Sequence, residues 1–433
     1  MTRQLPPHYV SRRERRNRRA LRSSLLAIAL LAGGVTAAVV RLNLPQSLGE
    51  TRQTALTLPA VRTLPVEEVP DTPFTEVTRE AGIEFDHEHG AYGDKLLPET
   101  MGSGCALFDF DNDRDVDILL VNSCCWPWDP RPTLDPPPTL ALYRNDGHWS
   151  FTDVTAETGL ALSLYGMGVA AGDYDNDHDV DLFITAVGSN RLLRNDGGTF
   201  TDVTASAGVG GAADQWSSGC AWLDYNNDGQ LDLFVCNYIR WSRELDLAQH
   251  FSLDGTHRAY GPPLAFAGAF PYVYRNDGQG RFTDVSHEVG VQLTNPATDV
   301  PMAKALGIAP VDLDADGWID VVVANDTVQN LVFHNEQGQF FREIGAEAGI
   351  AFDNMGQARG AMGIDAAQFR NDDTLGIAIG NFANEMSALY VSMSGPLQFI
   401  DAAIATGFGP PTRLQLTFGT CFFDCDLDGR LDL

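Results

Sequence analysis

Apolar and polar positions from about residue 105 onward follow a cadence that repeats. A glycine-rich apolar run leads into a loop of alternating acids. A second apolar run follows, then a stretch of the type LYRN, an Asn-Asp-Gly turn and a phrase of the type FTDVT. Val311–Asn325, VDLDADGWIDVVVAN, shows the first half of the cadence. The run after Asp320 is strand chemistry, because β-branched side chains suit a pleated surface. Asn-Asp-Gly between apolar segments signals a hairpin. FTDVT-like phrases start at Phe151, Phe200, Phe282 and Phe341, with an earlier relative at Phe74–Ile83. Each unit thus predicts four antiparallel strands, which is a propeller blade. The expected fold is all-β: a β-propeller of four-stranded antiparallel blades, seven-bladed when complete, with five to six blades represented here.

The loops carry the candidate chemistry. Asp312, Asp314, Asp316 and Asp320 occupy positions 1, 3, 5 and 9 of one loop. The same slots hold Asp109, Asp111, Asp113 and Asp117; Asp173, Asp175, Asp177 and Asp181; Asp224, Asn226, Asp228 and Asp232; and Asp424, Asp426, Asp428 and Asp432. Oxygen ligands converging in a tight loop suit Ca2+, as at the start of an EF-hand. The likeness stops there, since position 12 is Val323 where an EF-hand has Glu. In the fifth unit the slots hold Gln368, Arg370, Asp372 and Gly376, so a blade without calcium is expected there. Arg114 and His178 stand where other loops have glycine, which predicts strain and weaker metal binding.

Charge divides the chain. Residues 1–41 hold nine arginines and one acid, leaving 20 basic and 57 acidic side chains in the rest. An acidic body argues against a nucleic-acid partner. Residues 1–24 read as a basic cytoplasmic segment. Residues 25–40, LLAIALLAGGVTAAVV, read as a signal-anchor or a cleaved signal peptide, with the arginines inside and the remainder exported to the periplasm or cell surface. Residues 41–73 read as an extended linker and residues 74–433 as the propeller. The chain stops soon after Asp432, and Phe74–Thr78 lacks strands to join. A seventh blade beyond residue 433, closed by Phe74–Thr78, is therefore expected.

Seven cysteines, an odd number, leave at least one unpaired. Cys105 and Cys220 share one repeat position and read as small core residues. Insertions after Val121 and Asn237 occupy the same strand connection in two blades, on the face opposite the acidic loops. They bring Trp126, Trp128, Arg240 and Trp241, residue types that dominate interfaces. An exposed partner surface is expected there, flanking blade two.

These residues carry a family resemblance. The loops and FTDVT phrases resemble the FG-GAP/VCBS repeats of integrin-like β-propellers. GIEFDHEHGAYGDKLLPETMGSGCALFDFDND and CNYIRWS resemble the cartilage acidic protein and ASPIC/UnbV group, whose C-terminal ASPIC/UnbV domain is absent here. The resemblance implies export, calcium-stabilised structure and interaction. The chain is thus read as a membrane-tethered, Ca2+-binding module for a protein or glycan ligand. The alternative is an extracytoplasmic propeller enzyme acting on a polysaccharide or small molecule. Gly166-x-Gly168-x-x-Ala171 precedes a loop instead of opening a helix, so it is no dinucleotide fingerprint. His87, Glu88, His89 and Glu99 read as structural, and no catalytic residue is assigned.

Overall fold

A computed structural model of the protein describes residues 74–433 except 132, 133 and 396, together with residues 19, 23, 31, 33 and 34. The assignments for 1–24, 25–40 and 41–73 fall almost wholly outside the described residues. Among the described residues no helix is long and apolar enough to cross a membrane.

Five sheets each contain four antiparallel strands in chain order. Blade one holds β1 (Cys105–Phe108), β2 (Asp117–Leu120), β3 (Ala141–Asn145) and β4 (Phe151–Asp153). Blade two holds β5 (Gly166–Gly172), β6 (Asp181–Ala186), β7 (Arg191–Asn195) and β8 (Phe200–Asp202). Blade three holds β9 (Ser217–Leu223), β10 (Asp232–Asn237), β11 (Tyr272–Asn276) and β12 (Phe282–Asp284). Blade four holds β13 (Ala305–Val311), β14 (Asp320–Asn325), β15 (Leu331–Asn335) and β16 (Phe341–Glu343). Blade five holds β17 (Ala361–Ala367), β18 (Gly376–Asn381), β19 (Ala388–Ser392) and β20 (Phe399–Asp401). The all-β blades expected from the sequence are present, including the fifth.

The cores lie between neighbouring sheets. On β14, Val321 and Val323 pack with blade three, while Val322 and Ala324 pack with blade five. A strand covered on both faces needs no polar alternation, which explains the unbroken VVVA run. Each such valine, buried to 1% exposure or less, contributes roughly 1.5–3 kcal/mol. The inner strands meet backbone to backbone. A Cβ on Gly168, Gly219 or Gly307 would lie 2.6, 2.8 or 2.4 Å from a carbonyl oxygen of the next inner strand. Only glycine permits that approach.

Neither end of the repeat series forms a sheet. Phe74–Val77 forms no strand, although the Phe74 ring lies 6.2 Å from that of Phe423. Residues 421–433 contribute only an isolated bridge, Phe423 to Asp432. Without a complete sheet to extend, the FTEVT phrase has no ladder to complete. Cys105 is exposed and is not a core residue, whereas Cys220 is half-buried under blade two's carbonyls. No disulfide forms among the described residues.

Candidate functional site

Each acidic loop is built by its own backbone. In the first, Asp109 Oδ1 and Oδ2 accept the N–H groups of Asp113 (3.1 Å) and Arg114 (2.9 Å). The same pair of bonds recurs at Asp173, Asp224, Asp312 and Asp424. Position 6 is left-handed throughout, with φ of 83° and 90° at Gly229 and Gly317 and 77° and 78° at Arg114 and His178. Two side chains thus hold a glycine conformation, at roughly 1–2 kcal/mol each.

Position 9 pins the blade. Asp117, Asp181, Asp232 and Asp320 are fully buried. Each accepts an N–H from position 2 and another from the Asn ending the third strand; for Asp181 these are Tyr174 (3.1 Å) and Asn195 (2.8 Å). Burial pushes the carboxyls of Asp181 and Asp232 up to about 7 and that of Asp320 to about 6. Without a cation Asp181 and Asp232 exchange their protons near neutrality, and Asp320 about one pH unit lower.

Position 3 supplies the chemistry. Oδ1 of Asp111, Asp175 and Asp314 is enclosed and has no hydrogen-bond partner among the described residues. Burial, then the neighbouring loop carboxylates, raises all three pKa values. An orphaned acceptor at one slot in three loops is what a bound cation would satisfy. Carboxylate oxygens of Asp109, Asp111 and Asp117 lie within 4.8 Å of one another, as do those of Asp173, Asp175 and Asp181, of Asp312, Asp314 and Asp316, and of Asp424, Asp426 and Asp432. These clusters could hold a metal ion.

The structure is more selective than the spacing. Asp113 and Asp177 stay outside their clusters, although Oδ1 of each makes the same bond to the N–H two residues on that Asp316 makes inside its own. In the third loop position 3 is an amide, and Asn226 Nδ2 donates to Asp228 Oδ2 at 3.0 Å. His334, buried and 3.0 Å from Asp320 Oδ1, joins Asp314 and Asp320. The sequence signal for it was His in a slot where other blades have Arg144, Arg194 and Arg275.

Sequence reasoning also missed position 4. Asn112 donates to Asp179 Oδ1 (2.7 Å), Asn176 to Gly229 O (3.2 Å), Asn227 to Gly317 O (3.1 Å) and Asn371 to Gly429 O (2.8 Å). Each ties one loop to the next blade's loop. Asn195, Asn276 and Asn335 make a second tie to Phe110 O, Tyr174 O and Tyr225 O of the preceding blade. Between blades four and five both residues are missing: position 4 is Ala315 and the third strand ends in Ser392.

The opposite face corrects the exposed-tryptophan expectation. Trp126 and Trp241 are only 5% and 9% exposed, Trp128 is half-buried, and Arg240 alone of the four is exposed. Trp126 stacks on Trp128, Tyr165 and Trp241 at 5.1, 4.1 and 5.3 Å between ring centroids. The two insertions therefore meet over blade two and together line a cleft of about 370 Å³ with Tyr165 and Val187. Asp246, 1% exposed, accepts bonds from Leu97 N (2.8 Å), Trp241 Nε1 (2.7 Å) and Arg258 Nη2 (2.6 Å). Buried Glu99 accepts from Trp126 Nε1 at 3.1 Å. His87 meets Ser103 Oγ at 2.9 Å, and the 87–89 trio does not form a metal group.

The family model for FG-GAP-like repeats matches residues 109–184 and 176–235. Cartilage acidic protein 1 of Mus musculus is 29% identical over 224 residues, covering 44% of this chain and 34% of that protein. The Homo sapiens protein is 29% identical over 221 residues, covering 44% and 33%. The chain thus spans about a third of the length of the curated relatives it matches. Among solved structures, an Agrocybe aegerita lectin that recognises non-reducing terminal N-acetylglucosamine aligns at 15% identity, with TM-score 0.33, over 68% of this chain and 63% of its own. The V. cholerae biofilm matrix protein Bap1 aligns at 11%, with TM-score 0.34, over 69% and 38%. Scores this low transfer nothing from either protein. The chain carries FG-GAP-like repeats and is related to the FG-GAP/ASPIC-UnbV proteins.

Proposed function

We propose, from the premise that these are FG-GAP-like repeats, that the chain is a calcium-stabilised β-propeller serving as an interaction module for a protein or glycan. The enclosed, unpartnered Oδ1 of Asp111, Asp175 and Asp314 carries the calcium half of this reading. The donors are carboxylate oxygens on tight loops, the hard ligands that Ca2+ prefers. Export and tethering through residues 25–40 rest on the basic segment and the apolar run after it. The interaction half rests on the relationship to cartilage acidic protein 1 and on the tryptophan-braced cap, which leaves Arg240 outward.

Metal analysis of the purified full chain in millimolar calcium tests the first half. The expected content is at least three ions per chain, lowered by one in Asp111→Asn and in Asp175→Asn. A chain that retains no calcium refutes this half. A glycan array and a surface pull-down with wild type and Arg240→Ala test the second half. Binding should fall in Arg240→Ala at unchanged melting temperature.

A further inference from the structure

A cleft of about 660 Å³ opens on the insertion face where blades three, four and five meet. That volume suits a small organic ligand. Its walls are mostly apolar, with Phe251, Leu264, Met362 and Phe418 among them. Two acids interrupt them. Asp326 is 8% exposed, and its Oδ2 accepts the Tyr238 hydroxyl. Its Oδ1 faces Gly360. Glu385 Oε2 accepts the Gly360 N–H at 2.6 Å. A Cβ on Gly360 would lie 2.9 Å from Phe382 Cβ, 3.1 Å from Asp326 Oδ1 and 3.6 Å from Glu385 Oε2. Both carboxylates therefore approach Gly360 on the same side, at the wall of the cleft.

Charge defines what belongs there. Lys304, 7% exposed, donates its ammonium to Pro263 O at 2.9 Å. Two carboxylates against one lysine leave a negative charge in an apolar cleft, and such a charge is unfavourable without a partner. Two carboxylates are too few for Ca2+, which needs six to eight oxygens. Apolar walls offer a sugar little to bond. We propose that this cleft binds a small organic amine, whose apolar body fills the cavity and whose ammonium sits between Asp326 and Glu385.

The test is calorimetric titration of the full chain, in calcium, with 4-phenylbutylamine and with its uncharged analogue 4-phenylbutanol. The amine is expected to bind about tenfold tighter or better, as one desolvated charge pair provides. Asp326→Asn should erase that preference while the alcohol's affinity stays within about twofold. Glu385→Gln, which keeps the side chain's shape and removes its charge, should weaken the preference likewise and serves as the deciding variant if Asp326→Asn does not fold. Equal affinity for both probes overturns the proposal. So does binding of neither, or an amine preference that survives undiminished in folded Asp326→Asn or in folded Glu385→Gln.

Discussion

Blades four and five are neighbours with identical strand lengths of 7, 6, 5 and 3 residues, and their second strands are equally buried. Their loops differ completely. Blade four converges Asp312, Asp314, Asp316, Asp320 and His334, while blade five offers Gln368, Arg370, Asp372 and Gly376. Where Asp320 pins the third strand through the N–H of Asn335, blade five uses Ser392 Oγ, which accepts the Leu375 N–H at 2.9 Å. The sheet therefore does not need its acids: a hydroxyl does the pinning. Four acids on one loop, with one oxygen left unpartnered, are a burden to the bare protein and make sense as a cation site.

Removing the cation should erase the advantage of blade four and leave blade five untouched. If three sites each hold calcium at about 100 times Kd, mass action contributes about 2.7 kcal/mol per site. Chelation should then lower the melting temperature by roughly 10 °C or more. An unchanged melt removes the contrast.

The pH dependence should also invert. The raised carboxyls of Asp181, Asp232 and Asp320 mean that the folded, metal-free chain holds protons that the unfolded chain has lost between pH 4 and about 7. Metal-free stability should fall as pH rises through that window. Calcium needs the ionised form, so loaded stability should rise over the same window. Melts of both forms at pH 5, 6 and 7.5 check the crossing of the two trends.

Among single changes, Asp320→Ala should have the largest effect. It leaves the N–H groups of Leu313 and Asn335 unpaired as well as weakening the metal site, roughly 3 kcal/mol or more. Asp312→Ala should follow at about 2 kcal/mol in calcium, and Asp372→Ala should stay within about 0.5 kcal/mol. Equal shifts in chemical denaturation would mean that the two loops do the same job. The smallest effect is a gain: Arg114→Gly or His178→Gly relieves a left-handed side chain and should add about 1 kcal/mol, with tighter calcium binding.

The blades were legible because everything that defines them is local and repeated. Acid spacing, the NDG turn and the β-branched run each lie within about a dozen residues. The cap was not legible, because its contacts span the sequence. Leu97 reaches Asp246 across 149 positions, and Trp126 meets Trp241 only once both insertions fold over blade two. Composition marked those tryptophans as surface anchors, and packing turned them inward. The metal loops fell between these extremes. Spacing located the acidic loops, but it could not reveal that His334 joins Asp314 and Asp320, nor that Asn226 cross-links its own loop.

The asparagines that join one loop to the next act as stitches along the acidic face, and the row drops a stitch at Ala315 and Ser392. On that face, strain that passes from blade one through blade four meets no asparagine tie into blade five among the described residues. A chain pulled or heated should therefore tear there first, with blade five peeling away while the loops before it stay laced. Amide exchange should show this as a step in protection between Val311 and Ala367, and Ala315→Asn should flatten the step.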